Sequence, residues 1–169
     1  MLNKKIEKIL NEQIEKEGYS SQLYLAMASW AEVNGYAGTA GWLYSQSDEE
    51  RVHMLKLVVY VNDRGGHALI PTIKQPPVDY GSIKELFEAV LKHEQFITAS
   101  INDIVALCNT EKDFTTHNWI QWFVNEQIEE EKSAKEIIDK LALVGDGQLY
   151  QFDRDILTLR KQGVGGAGE

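Results

Sequence analysis

Two polar constellations of one shape, set 77 residues apart, constrain this chain more than any other feature. Glu17 stands 33 residues before Glu50, and Glu50-x-x-His53 places two ligand-type side chains at helical i, i+3 spacing on one face. Glu94 stands 33 residues before Gln127, and Gln127-x-x-Glu130 repeats the pair. A lone Glu-x-x-His usually marks only the polar edge of an amphipathic helix. The repetition changes that reading. If each half is a helical hairpin, residues equidistant from its turn sit at one height along the bundle. The midpoints fall at Asn34-Gly35 and at Thr110-Glu111, just after Cys108-Asn109, where Asn-Gly and Asn-Thr can end a helix. Four polar clusters then meet at one level.

The chain between these points reads as helix. Apolar residues at three-four spacing predict a first helix over residues 6–33, which Gly18 interrupts without breaking, and a second over 38–64, stopped by Gly65-Gly66. Residues 65–82 hold all three prolines and show no helical period. Fully extended, such a segment reaches ~60 Å, whereas a helix the length of the second spans ~40 Å. It can therefore cross the whole bundle and make the second and third helices parallel. Ser82 and Glu85 form a capping-box pattern that starts a third helix. A turn over 109–113, a fourth helix ending at Gly145-Asp146-Gly147 and a short fifth over 148–160 complete the reading. No run of alternating β-branched residues predicts a strand. The expectation is all-α: a four-helix bundle with one long crossover between helices two and three, plus a short C-terminal helix. One domain is expected over 1–161, followed by a Gly-rich, disordered tail over 162–169.

Composition narrows the function classes. The net charge of −9 disfavours nucleic acid, which demands a basic face. No stretch carries the ~18 consecutive apolar residues of a membrane span. Cys108 has no partner in the chain, and the first residues lack the apolar core of a secretory leader, so a cytoplasmic location is expected. His67, His93 and His117 read as solvated.

The polar level demands compensation. Glu17, Glu50, Glu94 and Glu130, one per helix, would leave four carboxylates inside a bundle, where each unpaired ion costs several kcal/mol. No Lys or Arg stands at matching heights on the inward faces. Two divalent cations balance four carboxylates, and His53 adds one imidazole. Single Glu residues on two helices with i, i+3 pairs on two others mark di-metal carboxylate bundles. Oxygen-rich ligands with one His suit iron or manganese, with Zn²⁺ as a competitor. Tyr24, one heptad after Glu17, leans back toward that carboxylate.

On Glu17, Tyr24, Glu49-Glu50-x-x-His53, Glu94 and Asn125-Glu126-Gln127-x-Glu129-Glu130, followed by Lys132 and a fifth helix, the chain resembles the bacterial non-haem ferritins over nearly all its length. The resemblance implies a 24-subunit homo-oligomeric shell that oxidises Fe²⁺ with O₂ or H₂O₂, a ferroxidase, and stores ferric oxyhydroxide. It implies that Glu17, Glu50 and His53 hold one iron, that Glu50 bridges, and that Glu94 and Glu130 hold the second. Gln127 and Tyr24 would flank this dinuclear centre. Glu49, Glu126 and Glu129, with Glu130, resemble a third iron site. Arg51 stands where bacterioferritins place a haem-ligating methionine, so no haem is implied, and Gln127-x-x-Glu130 replaces their second Glu-x-x-His. A single cysteine excludes the Cys-x-x-Cys domain of rubrerythrins. Two competing readings are a di-metal oxidase or peroxide scavenger that stores nothing, and a bundle with structural metal. The fifth helix, read as assembly surface, and the additional carboxylates favour the first.

Overall fold

The computed structural model describes residues 2–160. Helix α1 spans Lys4–Val33, α2 Ala37–Asp63, α3 Ile83–Glu111, α4 Phe114–Val144 and α5 Leu149–Arg160, the last preceded by a 3₁₀ turn at Asp146–Gln148. There is no strand among the described residues. The domain boundary at 161 and the tail over 162–169 lie outside them.

Each hairpin turns close to where the spacing places it. The α1–α2 turn uses Gly35 at φ 85°, as expected. The α3–α4 turn differs. Asn109 and Thr110 stay helical, and the left-handed residue is Lys112 at φ 56°. The Cys108 carbonyl accepts the Asp113 N–H at 2.9 Å, and Asp113 Oδ1 accepts the Thr116 N–H at 3.0 Å. One aspartate thus closes α3 and caps α4, which leaves only two residues between helices. At the start of α3, Ser82 Oγ accepts the Glu85 N–H at 3.2 Å, but the Ser82 N–H binds the Tyr80 carbonyl at 2.9 Å. Only the forward half of the capping box forms.

The crossover climbs along α1. The His67 N–H donates to Glu7 Oε1 at 3.0 Å, and the Leu69 N–H to Asn11 Oδ1 at 2.6 Å. Ile73 packs against Gly18, and Trp30 Nε1 donates to Asp79 Oδ1 at 3.0 Å. These contacts move from the first turns of α1 to its last. Helix α3 therefore starts where α2 starts, and the two run parallel.

Burial divides the interior into two apolar clusters. One, around Leu23, Met27, Trp42, Phe87 and Ile137, fills the end holding the α1–α2 turn. The other, around Ile6, Leu10, Leu57, Ile101 and Phe123, fills the opposite end. Between them lies a band of buried polar side chains: Gln13, Glu17, Gln46, Glu50, His53, Glu94, Gln127 and Glu130.

Helix α5 differs from the assembly surface that the sequence suggests. Phe152 and Ile156 are buried in the first cluster, with Leu149 and Leu159 packed against it, so its apolar stripe is consumed within the chain. Asp153 explains the docking. Its Oδ2 accepts the Gly38 N–H at 2.9 Å, and its Oδ1 accepts both the Thr39 N–H and Thr39 Oγ1 at 2.8 Å. A carboxylate from α5 thereby caps α2, which has no side-chain cap of its own. Gly38 permits the approach, since a Cβ there would overlap the Asp153 carbonyl oxygen.

Candidate metal centre

Each helix delivers a carboxylate to the polar band because the surrounding apolar residues keep the helical period in register. Glu17 is 1% exposed, Glu50 2%, Glu94 1% and Glu130 7%. Ligand atoms of Glu17, Glu50 and His53 all lie within 4.8 Å of one another. His53 Nδ1 is 3.2 Å from Glu50 Oε2, the i, i+3 contact anticipated from spacing. On the other side, Tyr24 donates its hydroxyl to Glu94 Oε1 through a short hydrogen bond. Gln127 Nε2 donates to Glu94 Oε2 at 3.1 Å and to the Glu94 carbonyl at 3.2 Å. Tyr24 therefore points to Glu94, although it shares a helix with Glu17.

Electrostatics describe a crowded anionic interior. Burial, then the charges of Glu94, Glu17 and Glu130, pushes Glu50 well above the usual carboxylate range. Burial raises Glu130 strongly, with Glu94 and Glu49 adding to it. Glu17 and Glu94 are also raised, chiefly by burial. Burial lowers His53 despite the opposing pull of Glu17 and Glu49, leaving a neutral imidazole with a lone pair to donate. Among the described residues no Lys or Arg is buried. Among the described residues, Glu17 Oε2 is the one buried side-chain polar atom without a hydrogen-bond partner, and the ligand atoms of Glu50 and His53 lie close enough to share a cation with Glu17. This donor set, oxygen-rich with one nitrogen, fits iron.

The flanking carboxylates divide. Ligand atoms of Glu49 and Glu126 come within 4.8 Å of His53, forming a second group on the outer side of the imidazole. Burial, then Glu49, raises Glu126. Glu129 is exposed, and its carboxylate lies 3.9 Å from Lys132 Nζ. Glu130 stays on the inner side, where Gln46 Nε2 donates to its Oε2 at 2.8 Å.

Several supporting residues are absent from the sequence reading. Gln13 is fully buried; its Nε2 donates to Glu17 Oε1 at 2.8 Å, while Ser100 Oγ donates to Gln13 Oε1 at 2.6 Å. Gln13 and Gln46 stand four residues before Glu17 and Glu50, and that i, i+4 repeat is the signal that finds them. His93, expected to be solvated, is half-buried; its Nε2 lies 2.7 Å from Ser20 Oγ, and burial lowers its pKa to about 4.

Two helical hairpins joined by a crossover, with carboxylates and one imidazole converging at mid-height, define the ferritin-like class of carboxylate bundles. Comparison with known proteins agrees. The ferritin-like domain family matches residues 7–144. The chain is 41% identical to the bacterial non-heme ferritin of Campylobacter jejuni, covering 96% of this chain and 100% of that one. It is 42% identical to the bacterial non-heme ferritin of Escherichia coli O6:H1, covering 96% and 99%. An open pore ferritin from the hyperthermophilic archaeon Archaeoglobus fulgidus superposes with a TM-score of 0.90 at 38% identity, covering 92% of this chain and 96% of that one. The chain belongs to the ferritin-like family, and its relatives there are bacterial non-haem ferritins.

Proposed function

We propose that this chain oxidises Fe²⁺ at a dinuclear centre with O₂ or peroxide and stores the ferric product inside a cytoplasmic shell of 24 identical subunits. The observation that carries the reading is the buried Glu17–Glu50–His53 cluster beside Glu94 and Glu130, with Glu17 Oε2 unpartnered. Glu17 and His53 hold the first iron, Glu50 bridges, and Glu94 with Glu130 holds the second. Gln127 and Tyr24 fix the orientation of Glu94, so the second iron meets a preset carboxylate. Glu49 and Glu126 offer a third iron a place beside His53, with Glu129 at the solvent edge. Helix α5 no longer argues for assembly. An exposed apolar stripe on α2 does: Val52 is 59% exposed, Leu55 43% and Val59 57%, at three- and four-residue spacing.

Aerobic titration with Fe²⁺, following ferric absorbance and particle size together, tests the proposal. Ferric mineral growing within particles of constant outer size is the expected result. Oxidation without retained mineral would make the chain an oxidase that stores nothing.

A further inference from the structure

Aromatic side chains run without a gap from the candidate metal centre toward the end of the bundle where α2 stops and α4 begins. The His53 ring meets the Trp122 ring edge-on at 5.3 Å. Phe123 touches both Trp122, at 4.9 Å, and Trp119, at 5.4 Å. Trp119 then lies on Tyr60 with ring centroids 3.8 Å apart and planes inclined by 14°. Packing alone favours offset or edge-on pairs at 4.5–7 Å over a face-to-face sandwich. Face-to-face overlap is instead the arrangement that couples two π systems for electron exchange. The series ends in a proton outlet: the Tyr60 hydroxyl donates to Thr116 Oγ1 at 2.9 Å, and Thr116 donates to Asp113 Oδ2 at 2.7 Å. Arg64 Nη1 donates to the Tyr60 oxygen at 2.7 Å. Cations also flank the rings, with Lys56 Nζ 3.7 Å from the Trp122 centroid and the Arg64 guanidinium 5.6 Å from that of Tyr60.

We propose that Trp122, Trp119 and Tyr60 form a relay that carries an oxidising equivalent from the metal centre to Tyr60. It rests on the reading that the centre oxidises Fe²⁺, and it serves a half-filled centre that meets hydrogen peroxide. Peroxide needs two electrons and two protons to become water, and a single Fe²⁺ supplies one electron. Trp122 supplies the other electron together with its indole N–H proton. One more proton comes from solvent, so two waters, Fe³⁺ and an indolyl radical result. The radical moves through Trp119 to Tyr60, which gives up an electron as its phenolic proton passes to Thr116 and the Thr116 proton to Asp113. The indole regains its proton from solvent. Asp113, paired with Arg64 at 3.6 Å, passes that proton on to solvent; a later Fe²⁺ returns the electron and solvent returns the proton through Asp113 and Thr116, which restores Tyr60 and leaves a second Fe³⁺. Homolytic release of hydroxyl radical is thereby avoided.

The test loads anaerobic full-length protein with one Fe²⁺ per chain, adds hydrogen peroxide, and reads freeze-quenched EPR with a hydroxyl-radical spin trap in parallel. Tyr60→Phe keeps the stack and removes the phenol; Trp119→Phe removes the oxidisable intermediate. The relay predicts a tyrosyl signal in the parent protein that narrows with ring-deuterated tyrosine. Tyr60→Phe should exchange the part of it due to Tyr60 for an indolyl signal, and Trp119→Phe should reduce that part at least five-fold. Trapped hydroxyl radical should rise several-fold in both, while stopped-flow oxidation at full Fe²⁺ loading stays unchanged. Identical radical yields and trapping in all three proteins, with iron oxidation intact, would overturn the relay and leave the iron reading standing. A parent protein that oxidises no Fe²⁺ would overturn both.

Discussion

Glu17 shows how a residue serves a site at the expense of the fold. It is buried, hydrogen-bonded through one oxygen to Gln13 and unpartnered through the other. Because the folded-state pKa values of Glu17, Glu50, Glu94 and Glu130 are raised, the stability they contribute is complete below the unfolded carboxylate range and is lost as pH rises through the folded values. Raising the pH of metal-free protein therefore loads this band with charge and weakens the fold. Glu17→Gln keeps the shape and an acceptor for Gln13 but removes a charge. In EDTA at pH 8 it should melt a few degrees higher than the parent, about 1–2 kcal/mol, and should lose most of the stabilisation Zn²⁺ confers. A lower melting temperature in EDTA would mean that the carboxylate is compensated by the protein alone. Cys108 offers a second check at this scale. Burial, then Asp113, raises its thiol to about 11, so its contribution to stability is intact below the ordinary thiol range and fades as pH climbs toward that value. Folded protein at pH 8 should hold about a hundredfold less thiolate than an unburied cysteine, and disulfide-exchange labelling should be correspondingly slow until denaturant is added.

At the scale of elements, the long helices and the crossover were legible because their patterns are strong. A three-four apolar repeat that admits carboxylates at matching heights fits few alternatives to a bundle, and three prolines within residues 65–82 exclude helix there. The α3–α4 turn was misplaced by the usual preference of Asn over Lys for left-handed backbone; Asp113 overrides it by capping α4. The docking of α5 was hidden because Gly38, at the expected start of the second helix, carries no mark of a distant partner. Its role is to clear space for a backbone more than a hundred residues away in sequence. The roles of Gln13 and Gln46 were hidden similarly, since a glutamine on a helix carries no mark of its own and only the i, i+4 relation to Glu17 and Glu50 points to them. Asp153→Ala should remove three hydrogen bonds joining α5 to the start of α2 and cost about 1–2 kcal/mol. Hydrogen exchange should show α5 amides losing protection while the polar band keeps its own. Uniform loss across all helices would mean that α5 is integral to the bundle and not separately docked.

For the whole molecule, the polar band divides one core into two apolar clusters, and the proposed metal ions become the link between them. Under the proposed function, the outer stripe of Val52, Leu55 and Val59 offers α2 as the assembly surface. Replacing Val52 and Leu55 together by Glu should yield particles of a few subunits at most by light scattering, with the helical content unchanged; intact large particles would move the interface elsewhere. The proposed oxidation at a shared dinuclear site turns on Glu50. Stopped-flow absorbance after mixing oxygenated buffer with protein carrying a dinuclear complement of Fe²⁺ tests it most directly. Glu50→Ala should abolish the fast ferric phase, and Glu130→Ala should slow it while leaving first-site Fe²⁺ binding measurable. A Glu50→Ala protein that oxidises Fe²⁺ at the parental rate would contradict the account.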